Sequence, residues 1–285
     1  MKVVVTGSEG QLGYDVMRSL LRHDHQALGL TRELLDITEE EKTLNTLREL
    51  APDAVIHCAA YTAVDDAEED EKRCHEVNAL GTKHVAMACK ELDIPMIYIS
   101  TDYVFDGSGE KPFEVNDIRN PQNVYGKTKA EGEAFVENLL DKYFIVRISW
   151  VFGIHGKNFV KTMLQVGKTR KVLQVVNDQV GSPTYTKDVA EFLMSLLDSR
   201  VYGIYHATNE GYCSWYEFAK TIFELSDMKD IKVEPVPSSA YKTKAKRPLN
   251  SRLSKENLQR SGLSKLPTWE NALERFLSEI SDHNK

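Results

Sequence analysis

The sequence predicts an α/β fold built on a doubly wound parallel sheet, with a smaller α/β lobe attached. Three observations support this fold class: short β-branched runs alternate with helical segments in the first half, a glycine-rich motif directly follows the first run, and the alternation stops after residue 152. Alternating strands and helices are typical of βαβ units, whose strands are parallel. A chain of 285 residues is long enough to bury a large core.

The predicted elements follow one another closely along the chain. In the first half we expect strands at 2–6, 26–30, 54–58, 96–100 and 144–150, and helices at 11–22, 39–50, 67–92 and 125–140. In the second half we expect strands at 172–176 and 203–207, and helices at 186–197, 215–225, 255–261 and 268–280. Capping-box patterns, Thr38 with Glu41 and Ser214 with Glu217, predict two helix starts. The long Pro-, Ser- and Lys-rich loop at 236–252 indicates a functional segment.

Composition and charge exclude several classes of protein. Hydrophobic residues make up 41% and charged residues 28%, as in ordinary globular proteins. A net charge of −7 without a long basic run argues against nucleic acid as a partner, and no stretch resembles a membrane span or a secretory signal. Because the four cysteines show no CxxC spacing, we expect reduced thiols and a cytoplasmic location.

A glycine-rich motif, Gly7-x-x-Gly10-x-x-Gly13, joins the first strand to the first helix. Gly7 permits a tight turn, Gly10 lets a pyrophosphate approach the backbone, and Gly13 lets the helix pack closely on the strand. Amides at the helix N-terminus, near Gln11 and Leu12, attract the anion. In this context the motif predicts a dinucleotide site in a Rossmann-like domain.

The end of the second strand indicates which dinucleotide binds. Thr31 and Arg32 stand where an NAD-selective site carries an acidic residue, and an arginine suits the 2′-phosphate of NADPH. Glu33 follows, so NADH stays open as a second cofactor. Asp36 and Ile37 are candidates for contacts with the adenosine, although Asp36 could equally be a turn residue.

Two further strand ends carry candidate ligands at the same edge of the sheet. Ala60, Tyr61 and Thr62 follow the third strand, where doubly wound sheets bind their ligands. Ser100 and Thr101 end the fourth strand, so a hydroxyl there can point at a substrate. Thr101 could equally cap a turn.

Tyr125 and Lys129 are the candidates for proton transfer. Their i, i+4 spacing places them on one face of a helix. An adjacent ammonium lowers the pKa of a phenol, which would make Tyr125 a usable proton donor. The alternative is a packed ring beside a lysine that reaches solvent. Together with the Thr101 hydroxyl beside a nicotinamide, the pair forms a site for carbonyl reduction.

The glycine motif, the segment Ser100-Thr101-Asp102-Tyr103-Val104-Phe105-Asp106-Gly107 and the pair Tyr125-x-x-x-Lys129 resemble the extended short-chain dehydrogenases/reductases. Within them, the chain is similar to the family of dTDP-4-dehydrorhamnose reductases. The other matching segments are 35–38, 58–65, 148–153, 177–184 and 247–251. The resemblance implies NADPH-dependent reduction of the C4 keto group of dTDP-4-dehydro-β-L-rhamnose, giving dTDP-L-rhamnose for cell-surface polysaccharide.

Roles for individual residues come from the same resemblance. It implies that Tyr125 donates the proton, that Lys129 tunes the pKa of Tyr125 and binds the nicotinamide ribose, and that Thr101 holds the sugar carbonyl. The implied sugar and nucleotide contacts are Asp102, Val104, Trp150, Arg247 and Asn250. An arginine at 247 also suits the diphosphate of a nucleotide sugar, whereas Trp150 could instead be part of a core.

The two lobes are assigned from the change in pattern along the chain. We place an NADP(H)-binding domain at 1–152, and we add 178–206 because the helix at 186–197 can return to cover the first sheet. The substrate-binding lobe then comprises 153–177 and 207–285.

Several alternatives stay open. The resemblance allows a homodimer with a structural Mg²⁺ ion at a carboxylate-lined contact, although the eight histidines show no metal-ligand spacing. A nucleotide-sugar epimerase or dehydratase would use the same tyrosine and lysine but return the hydride to its substrate. A non-catalytic NADP-binding regulatory subunit is the third reading, and the presence of Thr101, Tyr125 and Lys129 favours an enzyme over it.

Overall fold

The computed structural model of the chain describes residues 1–283. The strands are β1 (Lys2–Thr6), β2 (Gln26–Leu30), β3 (Ala54–His57), β4 (Met96–Thr101), β5 (Tyr143–Ile148), β6 (Val151–Phe152), β7 (Val172–Val176), β8 (Val180–Gly181), β9 (Thr184–Tyr185), β10 (Gly203–His206), β11 (Cys213–Ser214), β12 (Lys232–Val236) and β13 (Asn250–Ser251). The helices are α1 (Gln11–Arg22), α2 (Glu40–Leu50), α3 (Val64–Ala67), α4 (Glu71–His75), α5 (Thr82–Glu91), α6 (Val124–Leu139), α7 (Phe159–Gly167), α8 (Thr186–Ser199), α9 (Trp215–Leu225), α10 (Glu256–Arg260) and α11 (Trp269–His283).

The main sheet has six strands in the order β10-β5-β4-β3-β1-β2, and every neighbouring pair is parallel. The order reverses at β1, and the carboxyl ends of the strands open onto a crevice there. This is the doubly wound, Rossmann-like α/β fold that the alternating pattern predicts.

Helices cover both faces of the main sheet because its strands are apolar on both sides. Val3 and Val5 belong to the core shared with α1 and α8, whereas Val4 belongs to the core shared with α2, α5 and α6. Successive residues of a strand point to opposite faces, so a continuous run of valines fills both layers. The sheet is therefore a rigid support for the loops at its edge.

The second lobe is built from small sheets and three helices. Its sheets are β11-β8-β13, β12-β7 and β6-β9. Phe152, Phe218 and Phe276 lie in its core, which joins the face of α9 to that of α11. The capping box predicted for Ser214 and Glu217 is present at the start of α9.

The chain crosses between the lobes more than once. Helix α8 packs on α1, where Ser19 donates to Glu191 at 2.9 Å, and β10 completes the main sheet. Strand β8, which lies within the expected return segment 178–206, pairs instead with β11 and β13 of the second lobe. Leu258 of α10 packs in the core of the main sheet. Residues 284 and 285 of the expected lobe lie outside the described residues.

Two local predictions were wrong. The helix expected over 67–92 is divided, because Asp70 caps a new helix α4 and the chain then forms a π-helical turn, Glu76–Gly81, before α5. Thr38 does not cap α2: its hydroxyl donates to Asp36 Oδ1 at 2.7 Å, and the helix begins after Glu39. Among residues 1–283, no helix is both long and apolar enough to cross a membrane.

Candidate active site

A cleft of about 710 Å³ lies at the carboxyl edge of the main sheet and is bounded by the glycine-rich loop, the ends of β2 to β5 and the start of α6. All residues expected at the cofactor line this cleft: Gly7, Gly10, Gln11, Leu12, Gly13, Arg32, Asp36, Ile37, Ala60, Tyr61, Thr62, Tyr125 and Lys129. Thr101, Asp102 and Trp150 line it as well. The cleft thus joins the expected cofactor residues to the expected catalytic ones.

The glycine-rich loop has the shape of a dinucleotide cradle. Gly7 has a φ of +65°, and a Cβ atom there would lie 2.7 Å from the backbone of Ala59. A Cβ atom on Gly13 would lie 2.2 Å from the carbonyl oxygen of Gly7. Both positions exclude a side chain, because the turn and the close packing of α1 leave no room. The residues present therefore fit a bound dinucleotide.

Tyr125 lies in the first turn of α6, at the mouth of the cleft. The Asn123 side chain caps this helix by accepting from the Gly126 amide at 2.7 Å, which sets where the helix begins. Burial raises the pKa of Tyr125 above its ordinary value, and a hydrogen bond with Thr101 opposes that rise. The predicted lowering of the Tyr125 pKa was therefore wrong for this arrangement: the phenol is neutral at pH 7 and carries a proton, but it is a weaker acid than an exposed tyrosine.

Lys129 reaches the floor of the cleft and is 2% exposed. Its ammonium donates to the Ile99 carbonyl at 2.7 Å and lies 4.1 Å from the centre of the Tyr98 ring. Burial lowers the pKa of Lys129 to about 7, and the negative charge of Glu133 opposes this. The lysine is thus held by a carbonyl and a ring rather than by an acidic partner.

A buried ion pair lies next to the residues expected to be catalytic. Arg147 Nη2 donates to Glu133 Oε2 at 2.7 Å, and the two side chains are 1% and 0% exposed. The Ser100 hydroxyl donates to Glu133 Oε1 at 2.5 Å. Since Ser100 precedes Thr101 and Glu133 follows Lys129 by one helical turn, the network fixes the end of β4 against α6.

Asp102 and Trp150 form the part of the cleft assigned to the sugar. Burial raises the pKa of Asp102 to about 6, with hydrogen bonds from Ser251 and Thr101 opposing. The Thr101 hydroxyl donates to Asp102 Oδ1 at 3.0 Å. Trp150 has a φ of +49° and stacks on Trp215 with ring centroids 3.6 Å apart, so packing against the second lobe holds an unfavourable backbone conformation.

Three of the expected substrate residues, Val104, Arg247 and Asn250, do not line the cleft, and two of them are packed among neighbouring loops. Val104 is fully buried and packs in a cluster with Phe105 and Leu253. Asn250 is 2% exposed, and its amide donates to the carbonyls of Ser108 and Lys111 at 3.2 and 2.8 Å. The structure therefore gives these two residues a part in holding neighbouring loops.

Arg247 lines a smaller groove of about 150 Å³, which adjoins the cleft at Tyr103. Its Nη2 donates to Asp65 Oδ2 at 2.7 Å, and it also hydrogen-bonds Tyr103. The Tyr103 ring in turn meets the Tyr125 ring edge-on, with centroids 5.5 Å apart. The Arg247 guanidinium thus contacts Tyr125 only through the Tyr103 ring.

Sequence reasoning missed three polar residues of the site. Arg73 and Lys157 line the cleft, and Asp65 pairs with Arg247. Asp65 ends the matching segment 58–65, which was the signal available. No local pattern distinguishes Arg73 or Lys157 from exposed surface residues.

The structure gives no support for the magnesium ion that the resemblance allows at a contact between two chains. Within residues 1–283 of one chain, no group of three or more His, Cys, Asp or Glu side chains could hold a metal ion.

Comparison with known proteins identifies the family. The family described as RmlD substrate binding domain matches residues 1–281. A dTDP-4-dehydrorhamnose reductase of Aggregatibacter actinomycetemcomitans is 38% identical, over 96% of this chain and 98% of the relative.

Two solved structures are similar to this chain in both fold and sequence. The crystal structure of a dTDP-4-dehydrorhamnose reductase from Clostridium acetobutylicum has a TM-score of 0.96 and 40% identity, over 99% of this chain and 100% of that one. The enzyme from Bacillus anthracis, in complex with NADP, has a TM-score of 0.95 and 42% identity, over 98% and 100%. The chain therefore belongs to the dTDP-4-dehydrorhamnose reductase family.

Proposed function

We propose that this protein reduces the C4 keto group of dTDP-4-dehydro-β-L-rhamnose to the alcohol of dTDP-L-rhamnose, with NADPH as the reductant. The observation that carries the proposal is the convergence of Thr101, Tyr125 and Lys129 on a cleft whose other end is a dinucleotide cradle. The names of the relatives supply the sugar, and the NADP complex of the Bacillus anthracis enzyme supports the cofactor.

NADPH, held by the glycine-rich loop and the end of β2, would supply the hydride for C4 of the sugar, with the electron pair of the C4–O4 π bond moving to O4. Tyr125 donates its phenolic proton to O4, so the keto group becomes a secondary alcohol. The Thr101 hydroxyl hydrogen-bonds Tyr125 and donates its one proton to Asp102 Oδ1, so it holds O4 by turning that proton from Asp102 to the sugar oxygen. The Lys129 ammonium stabilises the phenolate that is left, and solvent protons restore the phenol.

The remaining cleft residues hold the two ligands. Gly7, Gly10 and Gly13, with the first amides of α1 at Gln11 and Leu12, receive the pyrophosphate. Arg32, Asp36 and Ile37 take the adenosine, while Ala60, Tyr61 and Thr62 follow β3 along the middle of the cleft.

On the substrate side, we assign Asp102 and Trp150 to the sugar and Arg247 to the diphosphate. Val104 and Asn250 support these residues from the neighbouring loops.

Lobe assignments follow the same division, with 1–152 and most of 178–206 on the cofactor side, and 153–177 with most of 207–285 on the substrate side. We infer a cytoplasmic location, because NADPH is consumed and all four cysteines are free thiols.

Nicotinamide absorbance tests the proposal. Purified protein is mixed with NADPH and enzymatically generated dTDP-4-dehydrorhamnose, and dTDP-4-dehydro-6-deoxyglucose serves as the control sugar. We expect one NADPH to be oxidised for each dTDP-4-dehydrorhamnose and none with the control. Turnover of the sugar without net NADPH oxidation would instead identify an epimerase or dehydratase, and binding of NADPH with no turnover would favour the regulatory reading.

A further inference from the structure

We propose that Arg73 joins Arg32 in a two-guanidinium site for the 2′-phosphate of NADPH, and that the Asp36 carboxylate between them sets the preference between NADPH and NADH. This inference rests on the proposed use of a nicotinamide dinucleotide. It adds one residue that the glycine-rich motif and the end of β2 do not indicate.

The three side chains meet at one end of the cleft. Arg32 and Asp36 follow β2, whereas Arg73 comes from α4, on the far side of β3 in sequence. All three line the cleft together with Thr31 and Leu35. A dinucleotide whose pyrophosphate lies on the glycine-rich loop places its adenosine ribose beyond the end of the second strand, which is this position.

Both guanidiniums point at the same oxygen atom. Arg73 Nη2 donates to Asp36 Oδ2 at 3.2 Å, and Arg32 Nε lies 3.7 Å from that oxygen. The other oxygen, Oδ1, accepts from the amide and hydroxyl of Thr38 at 3.0 and 2.7 Å. The arrangement already holds one anionic oxygen between two arginines, and a phosphate offers the same kind of acceptor to the same donors.

Arg73 is better placed than Arg32 to contribute binding energy. The Arg73 side chain is 26% exposed, whereas that of Arg32 is 74% exposed. Arg73 is also held from a second side by Glu76, whose Oε2 accepts at 3.4 Å. A restrained, partly buried guanidinium loses less conformational entropy on binding and is less screened by salt than a freely exposed one.

The Asp36 carboxylate weakens the binding of NADPH and strengthens the binding of NADH. Burial raises its pKa, but hydrogen bonds from Thr38 and Arg73 outweigh that effect, so the pKa is lowered overall and the group is ionised at neutral pH. An ionised carboxylate repels a 2′-phosphate and accepts a hydrogen bond from the 2′-hydroxyl of NADH. The two arginines favour NADPH, so the balance among the three groups determines how much NADH is used.

Direct binding of NADPH and NADH, followed by the fluorescence of the reduced nicotinamide, tests this without the sugar. We expect Arg73→Ala to weaken NADPH binding about tenfold or more, with an effect on NADH of about twofold or less. Asp36→Asn should shift the ratio of the two Kd values toward NADPH. The matched control is Lys72→Ala, which removes a cation from the same helix at a side chain that is 89% exposed and should leave both Kd values unchanged.

Two further measurements separate charge from folding. Arg73→Lys keeps the charge but loses the planar fork, and it should fall between wild type and Arg73→Ala. Competition by 2′,5′-ADP should weaken in Arg73→Ala, while competition by 5′-AMP should not. Equal weakening for both cofactors, or no weakening, would overturn the role of Arg73 and leave the reductase proposal intact. A wild-type protein that binds neither cofactor would overturn the proposed function itself.

Discussion

The Arg247 guanidinium donates a hydrogen bond to the Asp65 carboxylate across 2.7 Å, and this pair joins the long loop at 236–252 to helix α3 of the main lobe. The same carboxylate accepts from the Ala245 amide at 3.1 Å. Arg247 also hydrogen-bonds Tyr103, whose ring touches that of Tyr125. The loop is thereby held next to Tyr103 and Tyr125.

Replacing Arg247 should therefore affect the nucleotide sugar more than the cofactor. We expect Arg247→Ala to raise the KM for the sugar about tenfold, because a charge-assisted contact with the diphosphate is lost. The Kd for NADPH should stay close to that of wild type. Lys242→Ala, an exposed cation of the same loop, is the control, and an equal rise in its KM would show that the effect comes from overall loop charge.

Tyr125→Phe removes the proton donor and keeps the ring. We expect kcat to fall by about 10² or more, since positioned acids contribute that much, while NADPH binding is retained. The matched control is Tyr143→Phe, which should keep full activity. Tyr143 is the first residue of β5 and lies at the edge of the sheet away from the cleft. Turnover at the wild-type rate in Tyr125→Phe would remove this residue from its assigned role.

The fall of kcat/KM on the acid side of its pH profile should reflect the protonation of Asp102. Burial raises the pKa of this carboxyl to about 6, so it loses its charge as the pH falls through that value. Protonation removes the negative charge with which Asp102 would bind the sugar in the proposed function, and we expect kcat/KM for the sugar to fall below pH 6. Asp102→Asn should have a low kcat/KM for the sugar, and this kcat/KM should not fall further below pH 6. A fall that persists unchanged in the variant would assign it to another group.

Lys129 should make stability depend on pH in the alkaline range. Burial lowers its pKa to about 7, whereas the unfolded chain keeps the ordinary value of 10.5. Between these values the unfolded state binds more protons, so the contribution of Lys129 to the free energy of unfolding rises with pH and is smallest at pH 7 and below. We therefore expect urea unfolding to show that the free energy of unfolding of wild type increases relative to that of Lys129→Met from pH 7 to about pH 9.5.

The exposed Lys127, two residues earlier in α6, provides the control for that series. Lys127→Met and wild type should keep a constant difference in unfolding free energy over the same pH range. If Lys129→Met behaves in the same way, the ammonium is not buried as described.

The sequence predicted the main sheet well because its strands are apolar runs with clear ends. The bounds of β1, β2 and α1 agree with the prediction residue for residue. The two-residue strands of the second lobe, such as β8 and β13, were not predicted, since a pairing so short has no periodicity of its own. Their positions depend on contacts between distant segments.

The residues that line the cleft were predicted where a local pattern places them and missed where tertiary contacts place them. Gly7, Tyr125 and Lys129 are placed by a loop motif and a helical spacing, and they meet in the cleft. The environment of Lys129 was not predictable, because this residue lies on α6 whereas the Ile99 carbonyl and the Tyr98 ring belong to strand β4. The same holds for Arg73, which lines the cleft from α4, where the structure divides the helix expected over 67–92.

Transfer of deuterium from NADPH that carries the label at the transferable position of the nicotinamide tests the central claim most directly. The product of the reaction with dTDP-4-dehydrorhamnose is analysed by mass spectrometry and NMR. We predict one deuterium per dTDP-L-rhamnose, located at C4, with an equal amount of oxidised cofactor. A product without deuterium at C4, or a sugar that turns over while the cofactor keeps its label, would contradict the assignment as a reductase.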